Sequence, residues 1–289
     1  MYENIVRELT YWIRQDEGLF DPAAFALKGK TTYGKILMKS DLTDSMQDYV
    51  FSGGEIVENL LHGFGISATF EFSDGSVIDR KITGKVSGDA YSVLICERTF
   101  LNVLSLMSAT ATKVRKLVKL FRRSGHNTRL AATRKVIPLF GELQKLAVIH
   151  GGGDTHRLNL SETAMIKDNH KKLYGSIPEA VTQIRQVVPF TKKIEVEVEN
   201  EEELLEALNS DVDIIMLDNF TPGDAKRLAA LAKEKRPAIL IEVSGGINED
   251  TVSEFLCDEI DVISVGKLTT ELEYVDFSLE IDGKRAGAF

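Results

Sequence analysis

The chain has 289 residues, 43% hydrophobic and 27% charged, with 35 basic and 44 acidic side chains and a formal net charge of -9. That length suggests about two domains, and the acidic balance excludes general nucleic-acid binding. Two distant cysteines, Cys96 and Cys257, make neither a disulfide framework nor a metal pattern, so a reducing cytoplasm is the expected location.

The N-terminal stretch YENIVRELTYWIRQDEG has scattered charges and reads as neither a signal peptide nor a membrane span, and no span is expected elsewhere. Its apolar residues Ile5, Leu9, Trp12 and Ile13 recur near helical spacing, and Gly18 can stop the helix. Strand-like runs follow: GKILMKS, ISATFEFSDGSVIDRKITGKVSG and AYSVLIC, with the SDG at 73–75 as a hairpin signal. An antiparallel sheet with helices is therefore expected up to about residue 100. A long helix is expected from about Arg98 to Arg123.

The second half repeats a unit. Strand-like runs start near residues 194, 213, 238 and 261, with the helical patterns EEELLEALN, PGDAKRLAALAKEK and EDTVSEFLC between them. Such alternation indicates parallel strands, hence an α/β barrel or an open doubly wound sheet. No Gly-x-Gly-x-x-Gly opens any of these helices, which argues against a dinucleotide fold. In both architectures chemistry gathers beyond the C-terminal strand ends. Those ends carry Glu197 and Glu199, then Asp218, then Ser244-Gly245-Gly246, then Gly266. Glycine turns after the last two strands suit a phosphate held on backbone N–H groups. Glu195, Glu197 and Glu199 share one strand face, so at least one should reach the pocket of a barrel.

Charge is uneven. Residues 113–172 hold fourteen basic side chains against four acidic ones, a field that can concentrate a small polyanion. Its early part, Lys113 to Arg123, reads as a solvated helix face. Its later part offers Arg134, Lys135, His156, Arg157, Lys167 and His170 at successive strand-like ends, opposite the acids. Arginine forks and lysine point charges together suit a substrate with several carboxylates and phosphates. The triple glycine Gly151 to Gly153 either admits backbone close to that ligand or makes a tight turn. No nucleophile motif, zinc spacing or Walker loop is present, and the histidine spacing supplies no metal-ligand set.

The segments ERTFLNVLSLMSATAT, TRKVIP, GGGDTHRLNL, IKDNH, KIEVEVEN, IIMLDN, SGGI and ISVGKLT, in that order, resemble the quinolinate phosphoribosyltransferase family. The resemblance is dense from about residue 97 to residue 279. It implies an N-terminal α/β sandwich domain (1–100, joined by the tail 272–289) and an open, TIM-like α/β barrel (101–271). It implies transfer of the phosphoribosyl group of 5-phosphoribosyl-1-pyrophosphate (PRPP) to quinolinate, with magnesium, releasing nicotinate mononucleotide, pyrophosphate and carbon dioxide. By motif, Arg134, His156, Arg157 and Lys167 would bind quinolinate, and Arg98 would reach the neighbouring site of a homodimer or higher homo-oligomer. Lys135 and His170 would face pyrophosphate. Glu197 and Asp218 would sit at the ribose and could hold magnesium. Ser244, Gly245, Gly246 and Gly266 would hold the 5′-phosphate. Two alternatives remain open: a paralogous phosphoribosyltransferase, nicotinate-specific or of the molybdenum-operon type, and a non-catalytic sugar-phosphate-binding protein.

Overall fold

A computed structural model describes residues 2–42 and 48–282. The chain divides into two compact units. Unit 1 comprises residues 1–116, 138–152 and 271–289; unit 2 comprises 117–137 and 153–270. The division expected near residue 100 instead falls inside a helix. Residues 138–152 also return to the first unit.

Unit 1 begins with α1 (Glu3–Glu17), whose Ile5, Leu9 and Ile13 are buried. Trp12, which shares their near-helical spacing, is 56% exposed. It lies one step off the buried stripe. Gly18 ends the helix at φ 62°, a region glycine enters without steric cost. Next come β1 (Thr31–Met38), α2 (Gly54–His62), β2 (Ser67–Phe70) and β3 (Ile82–Asp89). The turn at 73–75 is real, but it does not join two strands directly. Asp74 turns back to accept N–H groups of Gly53 and Gly54 at 2.7 and 3.0 Å, satisfying orphan donors at the start of α2. The run AYSVLIC is no strand. It opens α3 (Ala90–Ser124), where Tyr91, Val93, Cys96 and Phe100 are buried at helical spacing.

α3 is the one described helix long and apolar enough to cross a membrane. Its most apolar window is 67% buried in the protein, as befits a core helix. Arg115 and Lys113 do more than face solvent. Arg115 donates to the carbonyls of Gly151, His150 and Gly75 at 3.0–3.1 Å, and Lys113 donates to the Glu271 carbonyl.

Unit 2 holds β4 (Arg129–Ala131). The following helix α4 (Gly141–Gly151) belongs to unit 1. Then come β5 (Ala164–Ile166), α5 (Asp168–Tyr174), α6 (Ile177–Val187), β6 (Ile194–Val198), α7 (Glu201–Leu208), β7 (Ile214–Asp218), α8 (Pro222–Lys235), β8 (Leu240–Ser244), β9 (Val262–Ser264) and α9 (Lys267–Thr270). The expected helix EDTVSEFLC is only a short 3-10 turn, Val252–Phe255. Polar side chains cap the true helices. Ser176, Asn200 and Thr221 accept N–H groups from Glu179, Glu203 and Asp224, and proline stands in the first turn of α6 and α8.

The six strands are parallel, in the order β4-β9-β8-β7-β6-β5. Asp154 adds a parallel bridge to Ala131 outside β4. Among the described residues β5 and β4 do not pair, so this is a barrel left open. Ile194, Val196, Val198, Ile215, Leu217, Ile241, Val243 and Ile263 are fully buried. Each such side chain contributes about 1.5–3 kcal/mol on leaving water. The closing strand β10 (Phe277–Ile281) pairs antiparallel with β1, so the tail returns to unit 1 and its sheet runs β10-β1-β3-β2. Residues 283–289 of the expected tail lie outside the described residues.

Candidate active site

Beyond the C-terminal strand ends of unit 2, the chain presents its charged residues side by side. Arg134 and Lys135 follow β4 and are exposed. The Thr133 hydroxyl accepts the Lys135 N–H at 3.1 Å, and Thr269 donates to the Lys135 carbonyl at 2.5 Å. A Cβ on Gly266 would come 3.1 Å from Lys135 Cδ, so the lysine stem lies over the β9 turn. Gly245 and Gly246 follow β8 at φ 95° and 64°. At Gly245 the reason for glycine is internal: a Cβ there would stand 2.3 Å from Asn219 Oδ1 and 2.6 Å from Asn219 N. Asn219, at φ 60°, donates its N–H to the Ser244 carbonyl at 2.9 Å and so locks the two turns together. At Gly246 nothing lies within 4 Å, which leaves an open approach to its backbone.

In sheet order the acids Glu197 and Asp218, on β6 and β7, stand between Lys167 after β5 and Arg134 and Lys135 after β4. Glu197 ends β6 and is ion-paired with Lys167, at the end of β5. Asp218 ends β7 and accepts from Asn219 Nδ2 at 2.8 Å. Burial raises the Asp218 pKa above the ordinary carboxylate value; Lys167 and Lys135 oppose the rise while Glu199 adds to it. Arg157 donates through Nη1 to the Thr163 carbonyl at 3.0 Å. Burial lowers its pKa, and the nearby charge of Arg134 lowers it further. Two guanidinium groups are thus held close, an arrangement that gains from a doubly charged anion between them. His170 caps α5, its Nδ1 accepting the Lys167 N–H at 3.1 Å, and its side chain remains exposed.

His156 sits deeper than its sequence context suggests. Its Nε2 lies 3.2 Å from Glu242 Oε2 and 3.7 Å from Glu195 Oε1, and Ser264 donates to Glu242 Oε1 at 2.6 Å. Glu195 is completely buried, and among the described residues neither of its oxygens has a hydrogen-bond partner. Burial pushes its carboxyl pKa up. Sequence spacing gave His156 no metal partners, yet the fold brings these two acids within ligand distance of it. Two signals could have found the group. Period-two alternation turns Glu195 inward, and Glu242 is an acid inside the apolar run AILIEV.

Other expected residues lie elsewhere. Arg98 is exposed on α3, in unit 1. His150 belongs to unit 1, where its Nδ1 meets the Ser52 hydroxyl at 2.8 Å. The first two glycines after it are structural. Gly151 packs on α3, where a Cβ would fall 2.6 Å from Val114 Cβ, and Gly152 caps α4 at φ 90°.

Family models for the quinolinate phosphoribosyl transferase N-terminal and C-terminal domains match residues 23–108 and 110–280. A protein of Methanothermobacter thermautotrophicus, named probable nicotinate-nucleotide pyrophosphorylase (carboxylating), is 37% identical over 285 residues, covering 97% of this chain and 99% of that one. A Dictyostelium discoideum protein, named nicotinate-nucleotide pyrophosphorylase (carboxylating), is 33% identical over 295 residues, covering 96% and 95%. Among solved structures, the nicotinate-nucleotide pyrophosphorylase of Francisella tularensis superposes with a TM-score of 0.85 at 32% identity, covering 96% of each chain.

Proposed function

The chain belongs to the quinolinate phosphoribosyltransferase family, and we propose that it transfers the phosphoribosyl group of PRPP to quinolinate with decarboxylation. The products are nicotinate mononucleotide, pyrophosphate and carbon dioxide, a step of NAD biosynthesis. The observation that carries this reading is the gathering of Arg134, Arg157, Lys135 and Lys167 around Glu197 and Asp218 at one end of one sheet. A monocarboxylate would not need so many cations.

Arg134, Arg157 and Lys167 are assigned to quinolinate's two carboxylates. His156 stands behind them with both ring nitrogens engaged. A substrate carboxylate draws Lys167 from Glu197, which frees that acid for the ribose. Breaking the ribose–pyrophosphate bond gives C1′ oxocarbenium character, and Glu197 and Asp218 stabilise the developing charge. Lys135, with His170 nearby, accepts the charge of the departing pyrophosphate, and the cations hold the pyridine nitrogen in line for attack. Ser244, Gly245, Gly246 and Gly266 receive the 5′-phosphate, with Gly246 as the open approach and Gly245 as the hinge of the turn. After transfer the ring nitrogen is positive; its charge stabilises the electron pair left on the ring carbon when carbon dioxide departs, and that carbon then takes a proton from water.

Glu197 and Asp218 are hard oxygen donors on neighbouring strands, one half-buried and held by Asn219, and they suit a hydrated magnesium arriving with PRPP. An ion held by Glu197 and Asp218 would supply positive charge to offset that of pyrophosphate. The same proposal includes a homodimer or higher homo-oligomer in which the exposed Arg98 reaches the neighbouring site. It also includes a cytoplasmic location, in keeping with two free cysteines.

The test supplies the purified chain with PRPP, magnesium, and either quinolinate or nicotinate. Nicotinate mononucleotide and carbon dioxide from quinolinate are expected. Product from nicotinate alone, or substrate binding without pyrophosphate release, contradicts the proposal.

A further inference from the structure

The reaction outlined above uses neither Glu195 nor Glu242, yet both are buried charged residues inside the barrel. Such groups are costly unless partnered. Their partner is His156, which comes from the opposite side of the open sheet, two residues beyond the Asp154 bridge to β4. The histidine spans the interior to β6 and β8, which among the described residues no hydrogen-bonded strand pair closes from that side.

His156 also occupies the left-handed region at φ 53°, which a residue with a Cβ keeps only under restraint. Three restraints are visible. Asp154 Oδ1 accepts the His156 N–H at 2.7 Å. The Arg157 N–H donates to His156 Nδ1 at 2.7 Å. Nε2 is drawn to Glu242, itself fixed by Ser264. The ring is thus gripped at both nitrogens, and the next residue in the chain is Arg157. We propose that Glu195 and Glu242 are positioning residues for the dicarboxylate site, acting through His156 to fix the backbone turn that presents Arg157.

The charge states follow from the contacts. Burial disfavours a charged His156 ring, while Glu195 and Glu242 favour one. An Nδ1 that accepts an N–H needs a lone pair, however, so that contact holds the ring as the Nε2–H tautomer. The pull of the acids then acts on the Nε2 proton. Glu195 Oε1 lies 3.7 Å from Nε2, beyond hydrogen-bonding distance, so Glu242 Oε2 at 3.2 Å is the acceptor. Of the other charged groups, Arg157 acts on Glu195 and is itself acted on by Arg134 and Glu197.

The inference rests on Arg157 being a quinolinate ligand, so the experiment has an arm that needs no activity. Histidine side-chain nitrogen NMR on the full-length protein should show a proton on Nε2 and a bare Nδ1 for His156, identified by its loss in His156→Asn. In Glu242→Gln that pattern should be lost. KM for quinolinate should then rise tenfold or more while KM for PRPP stays within twofold. Glu195→Gln, which leaves the closer Glu242 contact in place, should keep the tautomer and raise the quinolinate KM less than threefold. Ser264→Ala, a milder change, should shift both readouts in the direction of Glu242→Gln and covers the case in which that variant does not fold. A proton on Nδ1 in the unaltered protein overturns the inference, as does an unchanged quinolinate KM in both Glu242→Gln and Ser264→Ala. Absence of turnover in the unaltered protein would instead defeat the functional reading and leave the NMR arm standing.

Discussion

Gly245→Ala and Gly246→Ala should separate folding from phosphate binding, although the two residues are neighbours. At Gly245 the new methyl would meet Asn219 at 2.3 Å from Oδ1 and 2.6 Å from the backbone nitrogen, and φ is 95°. The left-handed backbone costs roughly 1–2 kcal/mol for a residue with a Cβ, and overpacking against backbone adds about 1–3 kcal/mol. A total of roughly 2–5 kcal/mol lowers Tm by roughly 5–15 °C for a unit of this size. At Gly246 φ is 64° and the methyl meets nothing within 4 Å, so only the backbone cost remains. That methyl does intrude where the 5′-phosphate would approach the amide. Calorimetric melting and steady-state kinetics give the answer. Gly245→Ala should melt far lower, whereas Gly246→Ala should melt within a few degrees of the parent but raise KM for PRPP about tenfold or more. Equal melting of the two variants, or an unchanged PRPP KM in Gly246→Ala, would refute the reasoning.

Lys135→Ala and Arg157→Ala should each cut kcat/KM by roughly 10–150-fold, the value of about 1.5–3 kcal/mol for a hydrogen bond to a charged group, while circular dichroism stays native. Near-normal turnover in both would undo the assignment. Because burial raises the Asp218 pKa, the acid limb of kcat/KM for PRPP should lie above the ordinary aspartate value, and Asp218→Asn should abolish that limb along with most turnover. The stability effect has the opposite sign. A raised carboxylate pKa favours the folded state at low pH, and that contribution is lost as pH rises through the raised value.

The β/α rhythm of unit 2 was legible because parallel strands bury both faces and leave apolar runs such as IIML and AILI, punctuated by capped helices. Arg134, Lys135 and Lys167 could be singled out because they come after apolar runs, LAA and AMI, whereas Arg157 follows only glycines and polar residues. What escaped depended on three-dimensional neighbours. AYSVLIC has strand-like composition, but Tyr91, Val93 and Cys96 fall on the buried stripe of a helix of 35 residues, and tertiary burial overrides local preference. The triple glycine in HGGGDTHR left ligand approach and a tight turn both open, and its first two glycines prove to end α4 in unit 1 while the residues after them belong to unit 2. Glu195 was legible as one of three acids on an inward strand face, but Glu242 was not, because an acid at a strand centre is tolerable only with a partner from elsewhere in the chain, which local pattern does not show.

The most direct measurement is a crystal structure with quinolinate bound. The account predicts both carboxylates within hydrogen-bonding distance of Arg134, Arg157 and Lys167, with Lys167 drawn off Glu197. Quinolinate seated away from these residues, or held there with the Lys167–Glu197 pair intact and a carboxylate facing only solvent, would contradict it.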